Sequence, residues 1–145
     1  MRIELQSFVE KVVRNSRATD KEGLCIIQGK LVWQVTVTLL LVNDDGNSFD
    51  ALFLAALLSL KNTRLPEVSL QKNKIKIDDS KLKPLNVHHL PVSTTFYFIK
   101  GFTSTPVVDV NTREEKLSEA RFSIVMNSYE DLCGMTTLGA LNLGE

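Results

Sequence analysis

The sequence predicts an α+β fold in which mixed and antiparallel strands surround one buried apolar helix. Three observations carry that expectation. Leu31, Trp33, Val35, Val37, Leu39 and Leu41 alternate with Gln34, Thr36 and Thr38, the period of two of a half-buried strand. Beyond the turn Asp44-Asp45-Gly46-Asn47, the run Ala51, Leu52, Phe53, Leu54, Ala55, Ala56, Leu57, Leu58 and Leu60 leaves no polar face, and a helix apolar all round belongs inside a fold. After Pro66 the chain returns to short alternating runs separated by turns.

From the start of the chain, Leu5, Phe8, Val9, Val12 and Val13 recur at spacings of three and four, which predicts an amphipathic helix over residues 3–15. A polar loop leads to a short strand at 24–27, and Gln28-Gly29-Lys30 turns it into the alternating strand. The end of that strand, 39–42, is apolar on both sides and is expected to lie deepest in the sheet. Asn47 or Ser48 is placed to cap the apolar helix, and Asp50 in its first turn suits the helix dipole. Burial of this helix roughly offsets its ordering entropy, so it needs cover on two sides. Asn62 and Pro66 are expected to end regular structure. Residues 68–70 and 74–77 read as short strands, 78–87 as a mobile connector, and 92–99 and 105–110 as strands. Thr112-Arg113-Glu114-Glu115 has the spacing of a capping box, and 121–127 with 132–137 complete a meander around a turn at 128–131.

A chain of 145 residues, 43% hydrophobic and 23% charged, is one domain's worth of ordinary globular composition. Acidic residues interrupt its richest apolar region, so no run reaches the roughly 18 residues of a membrane span. The N-terminus carries Glu4 and no long apolar core, unlike a secretory signal. Cys25 and Cys133, far apart and without ligand spacing, are expected as reduced, partly buried thiols of an intracellular protein. Net charge is zero but uneven: from Lys61 to Lys83 seven bases stand against three acids, and from Pro84 onward four bases against seven acids. The plainer reading of the basic stretch is a solvated hairpin, and the functional one an RNA-facing patch.

The motifs exclude more than they assert. His88-His89 has no third ligand nearby in sequence, so these histidines read as structural or solvent-facing and no metal is expected. The acidic turn lacks the twelve-residue calcium loop. There is no glycine-rich phosphate loop and no nucleophile elbow, so no cofactor is implied. Glu114 and Glu115 are general acids in principle, but a capping turn explains them more simply.

Taken in order, Leu24-Cys25-Ile26, Gly29-Lys30-Leu31 and Trp33, then Asp45-Gly46-Asn47, Asp50-Ala51 and Ala55-Ala56-Leu57, resemble the RNase PH family, and most closely the RNase PH-like ring subunits of the eukaryotic RNA exosome. Pro91-Val92, Thr95-Phe96, Val108-Asp109, Glu114-Glu115 and Ile124-Val125-Met126 continue the match in the same order. Residues Leu60-Lys61-Asn62 and Leu65-Pro66-Glu67-Val68 look like one particular subunit of that set. Each piece is weak and the ordered set is specific. The resemblance implies a single partial RNase PH domain over residues 1–145, of the ribosomal protein S5 domain 2-like fold, without the family's strand-rich first half and closing helix.

The resemblance also implies where chemistry would lie. Active members hold phosphate at the start of the central helix with a Ser/Thr-Arg pair, and the matching positions here are Asn47 and Ser48, with Asp50 adding negative charge close behind. Active members also carry two aspartates six residues apart, matched here to Lys83 and His89, neither of them a carboxylate. The implied role is therefore a non-catalytic structural subunit of a hetero-hexameric exosome ring, with no catalytic residue. That role implies other RNase PH-like subunits, cap subunits and RNA as partners, with no membrane. It would support 3'-to-5' RNA degradation and rRNA processing in nucleus, nucleolus and cytoplasm. Lys61, Arg64, Lys72 and Lys74 are the candidate RNA contacts. Two rivals stand beside it: a phosphorolytic 3'-to-5' exoribonuclease acting with a paired subunit, and a variant product that never assembles.

Overall fold

The computed structural model describes residues 2–16, 18–20, 22–71, 74–99, 101 and 105–139. Its elements run α1 (Arg2–Asn15), a 3-10 turn (Glu22–Leu24), β1 (Cys25–Ile27), β2 (Leu31–Val32), α2 (Ser48–Asn62), β3 (Arg64–Gln71), β4 (Lys74–Pro84), β5 (Val92–Ile99), β6 (Val107–Val108), α3 (Thr112–Leu117), β7 (Ser118–Met126) and β8 (Leu132–Gly139). The main sheet has the order β6-β5-β7-β8, and β1–β2 and β3–β4 form separate two-stranded ribbons. Every strand pair among the described residues is antiparallel.

Alternation decides which side of the main sheet is the core. Thr95 and Tyr97 of β5 and Ser123 and Val125 of β7 are buried, and Thr95 pairs with Ser123. Helix α2 packs on this side of β5, and α1 packs across β8. Phe8 of α1 lies against Phe49 and Phe53 of α2, with ring centroids 5.3 and 6.2 Å apart. Gly134 of β8 makes room for α1, because a Cβ there would press on Val12. Val12, Phe53, Leu57, Leu60, Leu85 and Val125 form the core cluster.

Helix α2 is thus the organising helix, as its composition predicts, but it is covered on one side only. Phe49, Phe53, Ala56, Leu57 and Leu60 are buried, whereas Leu54 and Leu58 stay exposed. The alternating strand is the reason. Only Leu31 and Val32 pair, with β1, and residues 33–43 run outside any strand pairing among the described residues. The expectation that 39–42 lie deepest is overturned: Leu40 is 82% and Val42 90% exposed. A pattern for a strand becomes a strand only where a neighbour supplies the hydrogen bonds.

The region after α2 also departs from the sequence reading. Pro66 does not end regular structure; it sits inside β3 opposite Leu82. The two short strands are one long ribbon, and most of the expected mobile connector, 78–84, belongs to β4. Residues 105–110 yield only the two-residue β6. The capping box exists one residue earlier than expected: Asn111 is the cap of α3, its Oδ1 accepting from the Arg113 and Glu114 amides, while Glu114 Oε2 accepts from the Asn111 amide. Cys25 is exposed rather than partly buried, and Cys133 is half-buried.

Candidate functional site

The N-terminus of α2 is where the functional expectation falls, and the acidic turn before it builds the approach. Asp44 Oδ1 accepts from the Gly46 amide, and Gly46 takes φ +91°. Any Cβ at Gly46 would overlap the Val110–Asn111 backbone, so glycine lets the turn close against the α3 segment. Thr112 Oγ1 reaches Asp44 O and Asp45 Oδ1, tying that segment to the turn. Asn47 is the cap residue with φ 45°, yet its side chain makes no capping bond. Instead Asn47 Oδ1 accepts from the Tyr97 hydroxyl at 3.3 Å. Ser48 is buried.

Asp50 keeps its charge in the first turn of α2, where the sequence places it, but its carboxylate is engaged by the sheet. Its carboxylate turns to β5 and accepts from Ser93 Oγ at 2.6 Å, the Thr95 amide at 2.8 Å and Thr95 Oγ1 at 2.8 Å. Thr95 Oγ1 also shares a hydrogen bond with Ser123 Oγ at 2.8 Å. The aspartate is a bolt between helix and sheet.

The sequence reading missed the pair beside it. Glu115 and Arg121 are six residues apart, and the α3–β7 corner brings them together at 3.6 Å with only 22% and 12% of their side chains exposed. The Arg121 guanidinium lies over the Phe49 ring, 5.8 Å from its centroid. Burial, and next the Glu115 charge, push the Tyr97 phenol up to about 12, partly opposed by Arg121. Asn47, Tyr97, Glu115 and Arg121 thus form one half-buried polar cluster at the helix mouth. The signal that could have found it was the six-residue spacing itself, present between Glu115 and Arg121 as well as between Lys83 and His89.

Lys83 and His89 do not enter this cluster. Lys83 lies on β4 and pairs with Glu67 at 2.7 Å, which is the first cause holding the Glu67 carboxyl below its ordinary range. Its neighbourhood is a cleft of about 460 Å³ between β1 and the base of the ribbon, lined by Trp33, Cys25 and Leu65 among others. His89 sets its ring edge against Tyr129, with centroids 6.1 Å apart. Among the candidate RNA contacts, Lys61 lies in the last turn of α2 and Arg64 opens β3, both exposed. Lys74 opens β4, and Lys72 lies outside the described residues. Among the described residues no group of three or more His, Cys, Asp or Glu is placed to hold a metal ion, and no helix is long and apolar enough to cross a membrane.

Two family models match the chain: the 3' exoribonuclease family, domain 1, over residues 1–66, and domain 2 of the same family over residues 89–145. Among curated proteins, exosome complex component RRP45 of Homo sapiens is 35% identical over 144 residues, covering 97% of this chain and 33% of the relative. Exosome complex component Rrp42 of Methanothermobacter thermautotrophicus is 35% identical over 133 residues, covering 92% of this chain and 48% of the relative. The chain therefore spans one third to one half of the length of these relatives. The same fold is found in an archaeal exosome core, with a TM-score of 0.81 at 30% identity over 99% of this chain and 54% of that one. An Archaeoglobus fulgidus exosome with RNA bound to the active site gives 0.75 at 27% identity over 99% of this chain and 52% of that one.

Proposed function

The chain belongs to the 3' exoribonuclease, or RNase PH, family, and on that premise we propose that it is a non-catalytic subunit of an exosome-type ring. The observation that carries the catalytic half of this reading is the pair at the mouth of α2. Phosphorolysis asks for an anion site and for acidic groups near the scissile bond. Here Arg121 stands six residues beyond Glu115, neutralises it and stacks on Phe49. Glu115 is spent on an internal ion pair, and Asn47 is spent on Tyr97.

The names of the relatives, all exosome complex components, support the assembly half. Its partners on this reading are other RNase PH-like subunits in a hetero-hexameric ring, cap subunits, and RNA passing to nucleases elsewhere, in nucleus, nucleolus and cytoplasm. Ring position is a finer matter. Residues 60–68 look like the subunit numbered forty-three in the yeast naming, while the relatives above carry the names RRP45 and Rrp42, so we propose the position only as one of this related set.

The test is co-expression with RNase PH-like subunits, followed by a phosphorolysis assay on single-stranded RNA. The chain should co-purify in a defined ring and release no nucleoside diphosphate when inorganic phosphate is added. Phosphate-dependent release that needs this chain together with one partner, and that Glu115→Gln abolishes, would establish the paired exoribonuclease instead. A wild-type chain that joins no such subunit overturns the ring.

A further inference from the structure

Between Leu31 and Val42 the chain carries no charged residue, no proline and no glycine, and it is rich in the β-branched types that favour strands. Its first two residues pair with β1, and the Trp33 amide donates to Leu24 O. Beyond that point the neighbour ends. From Gln34 to Leu41 the chain continues without a turn or a bend, and none of its amides or carbonyls is hydrogen-bonded to a described residue. Val35 packs against the core cluster, while Thr36, Thr38 and Leu40 stand exposed. Natural sheets blunt such an edge with charge, proline or a bulge, and a bare one is a template for another strand.

We propose that this edge pairs with the same edge of a second copy of the chain, antiparallel and centred on Val37. The straight run 33–41 has Val37 at its middle, so a two-fold axis there sets Trp33 against Leu41, Val35 against Leu39 and Thr36 against Thr38 of the second copy. Each inward pair is then apolar, and the two threonines form a hydrogen-bonding cross-strand pair. A slip of one residue would set Val37 against a threonine and mix inward with outward rows. The backbone agrees with that register. Amides alternate in direction along an extended run, so with that of Trp33 turned toward β1, those of Gln34, Thr36, Thr38 and Leu40 point to the open edge. Thr36 and Thr38 therefore exchange backbone hydrogen bonds, and Val37 meets its own copy at a position between them. Charge does not oppose the contact, since the run is uncharged and the whole chain has a formal net charge of zero. RNA would find no cation along this edge. Backbone pairing alone would accept any strand, and the symmetric side-chain match is what singles out a second copy. The pairing does not depend on ring assembly.

The experiment uses the whole chain with Cys25 and Cys133 replaced by serine. Val37→Cys should form a covalent dimer under mild oxidation, because the two copies of position 37 lie opposite each other at about 4.5 Å between Cα atoms, within the roughly 4.4–6.8 Å that a disulfide spans. A mixture of Thr36→Cys and Thr38→Cys chains should cross-link between the two variants. Thr36→Cys alone leaves its two cysteines about 8 Å apart and should yield roughly tenfold less. Thr38→Pro removes an amide that has no partner within one chain, so it should leave the unfolding of the dilute chain unchanged while raising the dimer dissociation constant roughly tenfold in sedimentation. No cross-link from position 37, equal yields from all three cysteine arrangements, a chain monomeric at every concentration, or a dimer indifferent to Thr38→Pro each overturns the proposal. Assembly of the unmodified chain with RNase PH-like subunits is read separately, so failure of the ring and failure of this pairing are distinguishable.

Discussion

At the scale of single residues, the helix mouth shows chemistry converted into architecture. Asp50 accepts three hydrogen bonds from β5, so Asp50→Ala strands the Thr95 amide and the Ser93 hydroxyl at a partly buried site, while Thr95 Oγ1 keeps Ser123 as a partner. We expect a loss of about 2–4 kcal/mol, measured by denaturant unfolding, with Asp50→Asn costing less because one oxygen still accepts. Tyr97 gives a pH signature. Its folded pKa is raised from 10.0 to about 12, so its stabilising contribution is whole below pH 10 and is lost as pH rises toward 12. The Tyr97→Phe variant should show a flatter decline in stability across that window. The same decline in both proteins would show that the phenol is not held as described. These residues were only half legible in the sequence. Asp50 was visible as an acid in a first turn, but its partners lie more than forty positions away on β5, and only the fold brings them to it. Glu115 and Arg121 hid behind a capping motif that belongs to Asn111 and Glu114.

At the scale of elements, periodicity was a good guide wherever both sides of an interaction were present. The amphipathic start became α1, the apolar run became α2, and the alternation of residues 92–99 became β5 with the same bounds. It failed at residues 33–43, where the alternation is real but no strand among the described residues lies alongside, and it undervalued β3–β4, whose register depends on pairing across an irregularity. The two sides of α2 should therefore answer differently to mutation. Phe53 is fully buried, and Phe53→Ala should cost about 3–5 kcal/mol. Leu58 is 42% exposed, and Leu58→Ala should cost under about 1 kcal/mol in the isolated chain. A large destabilisation at Leu58 only when partners are present would mark that side of the helix as a covered surface.

At the scale of the whole molecule, the balance of covered and open apolar surface governs behaviour. Leu40, Val42, Leu54 and Leu58 on one side, and Val92, Met126, Leu132 and Met135 on the main sheet, all stand exposed. We expect the isolated chain to be marginal and to self-associate. Ring partners should raise its melting temperature, since binding only the folded form stabilises it by mass action. A sharp monomeric melt, independent of concentration and unmoved by any RNase PH-like subunit, would refute this. RNA binding is tested in the assembled ring. Lys61→Glu with Arg64→Glu should weaken crosslinking to RNA and lower the salt slope by about one unit for each phosphate no longer neutralised. An unchanged slope returns the basic stretch to a solvated surface.

The pairing of Arg64 with Pro84 at the foot of the ribbon has a consequence for how such a chain changes over generations. Partnered residues sit only about 5 Å apart, so the ribbon leaves the domain and returns to it through a single narrow gate. Leu65 and its neighbours at the base still pack on the body, but the outer part of the ribbon can change length without shifting α2 on one side or β5 on the other. Constraint is thereby split in two: the body is held by the mutual fit of its core, and the outer ribbon chiefly by its own pairing. Duplicated genes that keep the same body can diverge through this one appendage.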